Sequence, residues 1–184
     1  MKYFDVTSKQ KKTTIIFLIL LVLFSFALIG VHFLPFFMNV NSQTLQNLLQ
    51  VTGVEASFGK PGMYASSRVN PNIFLMIGTS LGALGSLLLL VFTIWFITSK
   101  KYNRFMFFMF ALTTPCYAIL VATEFFIIPL YKTSNVTGFA DMQYIHYWYY
   151  VSLIGSIAIF LTIFITIVVI ALQGDKSTIS VESN

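Results

Sequence analysis

The sequence predicts an all-α protein, an integral membrane bundle of four transmembrane helices. Two features of the composition favour this class: 57% of the 184 residues are hydrophobic and only 9% are charged. A soluble domain carries roughly 25% charged residues. The third observation is a set of four apolar runs, each longer than the roughly 20 residues that cross the hydrocarbon core of a bilayer as a helix.

The four runs and their connections occupy nearly the whole chain, which predicts a single membrane domain over residues 1–184. The predicted segments, in chain order, are span 14–38, outside loop 39–70, spans 71–98 and 104–131, outside loop 132–145 and span 146–172.

The first span follows a basic segment that contains Lys2, Lys9, Lys11 and Lys12. A positive start before an apolar run is also typical of a signal peptide. The run TTIIFLILLVLFSFALIGVHFLPFFM is too long for the apolar core of a signal peptide, and no small-x-small cleavage site ends it. We therefore expect an uncleaved first span.

The first outside loop is the longest segment between spans. Its first half, NSQTLQNLLQVTG, places Leu45, Leu48 and Leu49 at positions i, i+3 and i+4. This spacing, with Gly53 as a stop signal, predicts a short amphipathic helix on the bilayer or on the bundle. The tetrapeptide GKPG at 59–62 has the composition of a turn.

The second span carries a face of small residues, called here the glycine face, made of Gly78, Gly82, Gly85 and Ser86. At about 100° per residue these four positions fall on one side of a helix. The spacing Gly78-x-x-x-Gly82 allows two helix backbones to approach closely in lipid. The glycine face therefore predicts a helix-packing surface.

The fourth span begins with the aromatic run YIHYWYY, which is typical of the outer membrane interface. Ser152, Gly155, Thr162 and Thr166 then form a small, weakly polar stripe. We expect the glycine face of the second span to pack against this stripe within the chain. The alternative is that the glycine face is a dimerisation surface.

The third span contains the one acidic residue deep in an apolar run, Glu124, and a proline at Pro115 that predicts a kink near 111–115. An intramembrane carboxylate is costly, by about 3 kcal/mol or more, and therefore suggests a function. His32 of the first span is expected at a similar depth, so that the two side chains could form an intramembrane polar pair. One interpretation is a neutral hydrogen bond, to His32 or a tyrosine such as Tyr117 or Tyr131, that sets helix register; the other is an ion or proton relay.

Few other residues suggest a catalytic or ligand-binding role. His32 and His146 could in principle provide both axial ligands of a haem, although ordinary packing roles are expected for both. Cys116, the single cysteine, lies in an apolar run and is expected to be a packing residue. No catalytic set, zinc spacing or phosphate-binding loop is found, so we expect no enzyme activity, no metal and no cofactor.

Orientation follows from the basic residues of the short loops and ends. Eight of the 11 Lys and Arg residues fall on the side of the two termini, and Lys60, Arg68 and Lys132 fall on the other. This predicts cytoplasmic termini in a protein of the cell membrane. The sequon at Asn135 then lies in an outside loop and is a candidate glycosylation site. The net charge of +5 is explained by orientation, so no nucleic-acid partner is expected.

The layout resembles the claudin and peripheral-myelin-protein superfamily, including its fungal relatives. Where that superfamily has Gly-Leu-Trp-x-x-Cys in the first outside loop, this chain has GMYASS at 62–67, followed by Arg68. The aromatic residue is changed to Tyr64 and the cysteine to Ser67. The resemblance implies a structural or adhesive membrane protein whose outside loops meet other proteins.

The expected function is therefore structural, organising or accessory, through lateral helix contacts and the first outside loop. The expected partners are the lipid bilayer and other membrane proteins or further copies of the chain. The alternative is a small channel, transporter or sensor that uses the pair of Glu124 and His32.

Overall fold

The computed structural model describes residues 8–40, 47–61, 69–99, 104–134 and 144–179. Within these residues the chain forms seven helices and three strands. The elements in chain order are α1 (Ser8–Val31), β1 (Pro35–Val40), β2 (Asn47–Thr52), α2 (Gly53–Phe58), α3 (Ile73–Thr98), α4 (Arg104–Ala111), α5 (Thr113–Phe125), α6 (Ile127–Ser134), β3 (Tyr144–Ile145) and α7 (Tyr147–Ile179).

Four helical stretches of this fold are long and apolar enough to cross a membrane, which confirms the predicted four-helix architecture. They cover Lys12–Val31, Ile73–Thr98, Met106–Phe125 and Tyr147–Val169. Only about a third or less of each stretch is buried inside the protein. The outward side chains are large and apolar, as at Ile154, which is 66% exposed. A helix that is hydrophobic all round is typical of a membrane span.

The first span ends earlier than predicted. Helix α1 stops at Val31 rather than near residue 38, and a turn follows in which Leu34 N–H donates to the Val31 carbonyl at 2.9 Å. Pro35 cannot donate a backbone hydrogen bond, and it disfavours helix geometry at Leu34. Residues from Pro35 to Val40 instead form strand β1.

A three-stranded antiparallel sheet, in the order β2-β1-β3, covers one end of the bundle, called here the sheet end. Its register pairs Met38 with Gln50 and Phe37 with Ile145. The predicted amphipathic helix is wrong for residues 47–52, which form β2. Pairing with β1 satisfies the backbone there, and the leucine spacing does not decide between the two conformations. The fold therefore departs from all-α by this sheet.

Gly53 begins helix α2 rather than ending a helix. A reciprocal capping box forms at its start: Thr52 Oγ1 accepts from Glu55 N–H at 3.1 Å, and Glu55 Oε2 accepts from Thr52 N–H at 3.0 Å. Glu55 also pairs with the Lys60 ammonium at 2.8 Å. The turn at Gly59, with φ of 85°, then directs the chain back toward α3.

The third span is broken twice, giving α4, α5 and α6. The first break lies at Leu112, within the predicted kink region, where Thr113 Oγ1 donates to the Phe110 carbonyl at 2.6 Å. The second break lies at Phe126 and was not predicted. Pro115 and Pro129 each remove an N–H from the helical hydrogen-bond series, three residues after a break.

The glycine face packs against α5, so the predicted contact with the fourth span is wrong. A methyl group added at Gly78 would lie 2.6 Å from Thr123 Cβ, and one at Gly82 would lie 2.7 Å from Leu120 Cδ2. One added at Gly85 would lie 3.0 Å from a third α5 side chain, Cys116. The glycine face is thus buried within the chain, at the closest helix approach that small residues permit.

The small residues of the fourth span face other partners. Gly155 lies against α1, where an added methyl group would meet Leu28 Cδ1 at 2.8 Å. Thr162 and Thr166 donate to the carbonyls of their own helix, each at 2.7 Å. Ser152 is turned toward α5, where the candidate site lies. The predicted stripe is therefore divided among neighbours, because the broken third span lies close to both α3 and α7.

Candidate functional site

The candidate site is a buried polar cluster centred on Glu124. This carboxyl lies in the last turn of α5 and is only 2% exposed. His32 directly follows the end of α1 and is also buried. Its Nε2 atom lies 3.1 Å from Glu124 Oε1. The structure thus brings together the two residues that the sequence suggested as an intramembrane polar pair.

Two serines of α7 complete the cluster. Ser152 Oγ donates to Glu124 Oε1, and Ser156 Oγ donates to Glu124 Oε2. Both serines are fully buried. They lie one helical turn apart and therefore reach the same carboxyl. Sequence reasoning assigned Ser152 to helix packing and missed Ser156, although their spacing of four residues in an apolar span was a usable signal.

Hydrogen positions in the cluster are constrained by the Leu28 carbonyl. It lies 3.1 Å from His32 Nδ1, and a carbonyl only accepts, so Nδ1 carries a hydrogen. Nε2 then meets Glu124 in one of two ways. A neutral imidazole accepts a hydrogen bond from a carboxylic acid, or an imidazolium donates to a carboxylate. The pair can therefore share a single proton between Nε2 and Oε1.

The sheet end covers the cluster with backbone and aromatic contacts. The His32 carbonyl accepts from Val54 N–H at 2.9 Å, which ties the end of α1 to α2. The His32 ring contacts Phe36 at 5.4 Å between centroids, and Phe36 contacts Tyr149 edge-on at 6.2 Å. The Tyr149 hydroxyl donates to the backbone carbonyl of Glu124 at 3.3 Å. These contacts hold the imidazole against the carboxyl from three elements.

Tyr117, a predicted neighbour of Glu124, has another partner. Its hydroxyl lies 2.6 Å from Ser86 Oγ, which itself donates to the Gly82 carbonyl at 3.2 Å. This second hydrogen bond joins α3 to α5 beside the glycine face. The side chain of Tyr131, the other predicted neighbour, lies outside the described residues.

A cavity of about 240 Å³ lies between α1 and α3, next to His32. Val54 and Phe58 of α2 line it from the sheet end. Its polar wall residues are uncharged hydroxyls and the imidazole, namely Ser25, Thr79, Ser80, Ser86, Tyr117 and His32. Among the described residues, no Asp, Glu, Lys or Arg lines it.

The remaining sequence candidates lie apart from this arrangement. His146 accepts from Trp148 N–H at 3.4 Å through Nδ1 and stacks on Tyr147, and Cys116 is buried beside the glycine face. In the described part of the chain, no group of three or more His, Cys, Asp or Glu side chains could hold a metal ion. Asn135, the candidate glycosylation site, lies outside the described residues.

Comparison of the chain with protein-family models, with curated proteins and with solved structures finds no match. The residues at 62–67 that carry the claudin-like resemblance lie outside the described part, and the resemblance stays a prediction. The fold and the site define the class: a small helical bundle with four helices of membrane-spanning length and composition. At the sheet end of this bundle, a buried carboxyl joins three segments of the chain.

Proposed function

We propose that the protein is a cell-membrane protein with a structural, organising or accessory-subunit role and cytoplasmic termini. It acts through lateral contacts of its helices and through the first outside loop, which contributes strand β2 and helix α2 to the sheet end. Its partners are lipid and other membrane proteins or further copies of the chain.

The observation that carries this proposal is the closed hydrogen-bonding of Glu124. Both carboxyl oxygens have partners from the chain itself, supplied by His32 after α1 and by Ser152 and Ser156 of α7. A buried polar group with satisfied hydrogen bonds favours one arrangement of the segments it joins. The cluster therefore supports a role as an internal tie that holds the bundle in shape.

The outer surface of the helices supports a function that depends on contacts with neighbouring molecules. The helix sides expose large apolar side chains that suit lipid or another membrane helix. The sheet end adds a folded surface beyond the helices, and Asn72 N–H donates to the Ser57 carbonyl at 3.0 Å, which joins α2 to the start of α3. A rigid bundle with a structured end is suited to organising neighbours.

Quantitative co-purification from native membranes tests this function. Tagged protein is extracted in mild detergent, and co-purifying membrane proteins and copies of the chain are counted by mass spectrometry and light scattering. We expect a partner, or a second copy, at fixed stoichiometry, and Glu124→Gln should retain it because the amide can replace the carboxyl hydrogen bonds. A chain that is always alone, also after cross-linking in the membrane, would contradict the proposal.

The second function is a small transporter or sensor, favoured by one observation. His32 contacts Glu124 and also lines the cavity, so the cavity wall reaches a group that can accept or release a proton. Proton or cation flux in proteoliposomes, abolished by Glu124→Gln in a folded protein, would establish this function over the structural one.

A further inference from the structure

The cavity between α1 and α3 is lined mainly by apolar groups, although several hydroxyl groups belong to its wall. Ser25 Oγ donates to the Val22 carbonyl at 2.8 Å, and Thr79 Oγ1 lies 2.9 Å from Ser57 Oγ. Tyr117 and Ser86 bond to each other, and both ring nitrogens of His32 are engaged. A bound water needs two to four polar partners. Five of the six polar wall residues are thus paired within the chain, and the sixth, Ser80, is exposed. This pairing favours a hydrocarbon occupant.

Exposed side chains border the cavity near the sheet end of α1 and α3. Phe33, which follows α1, is 65% exposed, and Phe58, at the end of α2, is 45% exposed. Ser80 of α3 is also exposed and lines the same cavity. With the helices inserted as proposed above, the opening at Ser80 faces lipid of the leaflet on the side of the sheet end.

The volume of the cavity and the charges of its wall limit which molecules can bind in it. An engineered apolar cavity of about 150 Å³ binds a molecule as large as benzene, and this cavity, at about 240 Å³, is larger. A helix is about 10–12 Å across with its side chains, so a span of another protein does not fit inside. Both ring nitrogens of His32 are engaged by Glu124 and Leu28, and no described Asp, Glu, Lys or Arg lines the wall, so an ionised group would find no free counter-charge. A single hydrocarbon chain satisfies all three limits.

We propose that the cavity is a binding site for one acyl chain of a membrane phospholipid from the leaflet at the sheet end. Phe33 and Phe58 flank the entrance, and the acyl chain lies along Leu28, Ala83 and Leu120. The proposal rests on the membrane insertion proposed above. It adds a defined lipid site to the lateral helix contacts proposed above.

Photo-cross-linking in nanodiscs tests this site. The full chain is reconstituted with phosphatidylcholine that carries a diazirine on one acyl chain, and labelled residues are mapped by mass spectrometry after irradiation. We expect label on the lining residues, including Leu28 and Ala83, in addition to general label on exposed side chains such as Ile154. Label confined to exposed side chains in the wild-type protein would overturn the proposal without reference to any variant.

A matched pair of substitutions locates the label. Ala83→Trp fills the cavity, and Ala158→Trp places the same side chain on an exposed position of α7. Ala83→Trp should lose the label at the lining residues, whereas Ala158→Trp should keep it. Unchanged cavity label in a folded Ala83→Trp protein would refute the site; if that variant does not fold, Ala83→Leu takes its place. Absence of acyl label everywhere would instead refute membrane insertion, and so separates the two failures.

Discussion

At the scale of single residues, Glu124 is the point where separate parts of the chain converge. Its carboxyl meets a residue after α1 and two residues of α7, while its own backbone carbonyl accepts from Tyr149. Removing one partner of a buried hydrogen-bonded pair leaves the other partner unsatisfied. This lowers the free energy of unfolding more than replacing both partners with apolar groups. The stability of the fold should therefore depend more on the hydrogen-bonding capacity of the side chain at position 124 than on its charge.

Substitutions at Glu124 test whether the carboxyl acts as a hydrogen-bonding group. Glu124→Gln offers two N–H donors to His32 and Ser152 and a carbonyl to Ser156, so unfolding free energy in detergent should fall by no more than about 1 kcal/mol. Glu124→Leu removes the hydrogen-bond partner of His32 Nε2 and of Ser152, while Ser156 keeps its hydrogen bond to the Leu153 carbonyl at 3.0 Å. This substitution should lower the unfolding free energy by about 3–5 kcal/mol. Thermal or denaturant unfolding of the purified protein measures both.

The shorter acid provides the control for charge. Glu124→Asp keeps a carboxyl but draws it back by one methylene from Ser152 and Ser156. If Gln prevents folding and Asp does not, a charged pair with His32 is required and the neutral interpretation is wrong.

At the scale of elements, the fold depends on where helices approach each other most closely. The contact of α3 with α5 is set by the glycine face, and the end of α1 is held by α2 and β1. Small residues in the bundle should therefore contribute unequally to the stability of the fold. Gly30 has no neighbouring atom within 4 Å of an added methyl group, whereas Gly78 faces Thr123 of α5.

Alanine at these two glycines gives a matched comparison. Gly78→Ala should lower the unfolding free energy by about 1–3 kcal/mol, because Thr123 is β-branched and the helices must separate. Gly30→Ala meets open space and should be neutral or raise stability by about 0.5–1 kcal/mol through helix propensity. Equal stability of the two variants in a denaturant titration would mean that α3 and α5 lie farther apart than described.

Helix α2 should be sensitive to pH through Glu55. Burial raises the pKa of Glu55, but the Lys60 ammonium and the Thr52 hydrogen bonds oppose this and leave the pKa below its ordinary value. A lowered pKa in the folded state stabilises the fold above the unfolded-state value, near 4.5, and this contribution disappears as pH falls through the folded-state value. The Glu55 side chain is 26% exposed and its Lys60 partner 35%, so solvent screening should keep the effect below about 1 kcal/mol.

The comparison of wild type with Glu55→Gln isolates this effect. The glutamine can keep the capping bond to Thr52 N–H but has no titrating group. The difference in unfolding free energy between the two proteins should be present at pH 7 and shrink as pH falls below 4.5. A difference that stays constant with pH would show that the carboxylate charge does not stabilise α2.

At the scale of the whole molecule, the proposal fixes which end faces the cytoplasm. Impermeant maleimide labelling of single cysteines in a Cys116→Ser background tests this. Gln50→Cys, on exposed β2 at the sheet end, should react in intact cells, and Lys12→Cys, exposed near the start of α1, should react only after permeabilisation. The reverse pattern would invert the topology and place Asn135 in the cytoplasm.

Much of the helical framework could be predicted, because hydropathy sums over neighbouring residues and needs no partner. The predicted second span ends at 98, as α3 does. Strand β2 could not be predicted in this way, because its leucine spacing also fits a helix and its partner strand β1 falls largely within the predicted first span. The early end of α1 was signalled by Pro35, but the apolar residues after it concealed that signal.

The site could be predicted in part, for a different reason. Glu124 and His32 stand out because polar residues are rare in apolar runs. Ser156 does not, because a serine in a membrane helix can satisfy itself on its own backbone, as Thr162 and Thr166 do. The cavity beside His32 could not be predicted from the sequence either, because it is a gap between helices and belongs to no single segment.

The sequence by itself determined that four apolar segments of spanning length exist and that one of them contains a carboxyl requiring a partner. These properties depend on local composition and on the free energy of placing a charge in hydrocarbon. Only the tertiary structure decided that the glycine face meets α5, that serines of α7 complete the Glu124 cluster and that the chain after α1 enters a sheet. Several spans offer small or polar faces of similar chemistry, and the choice among them is made by close packing and hydrogen bonding between distant parts of the chain.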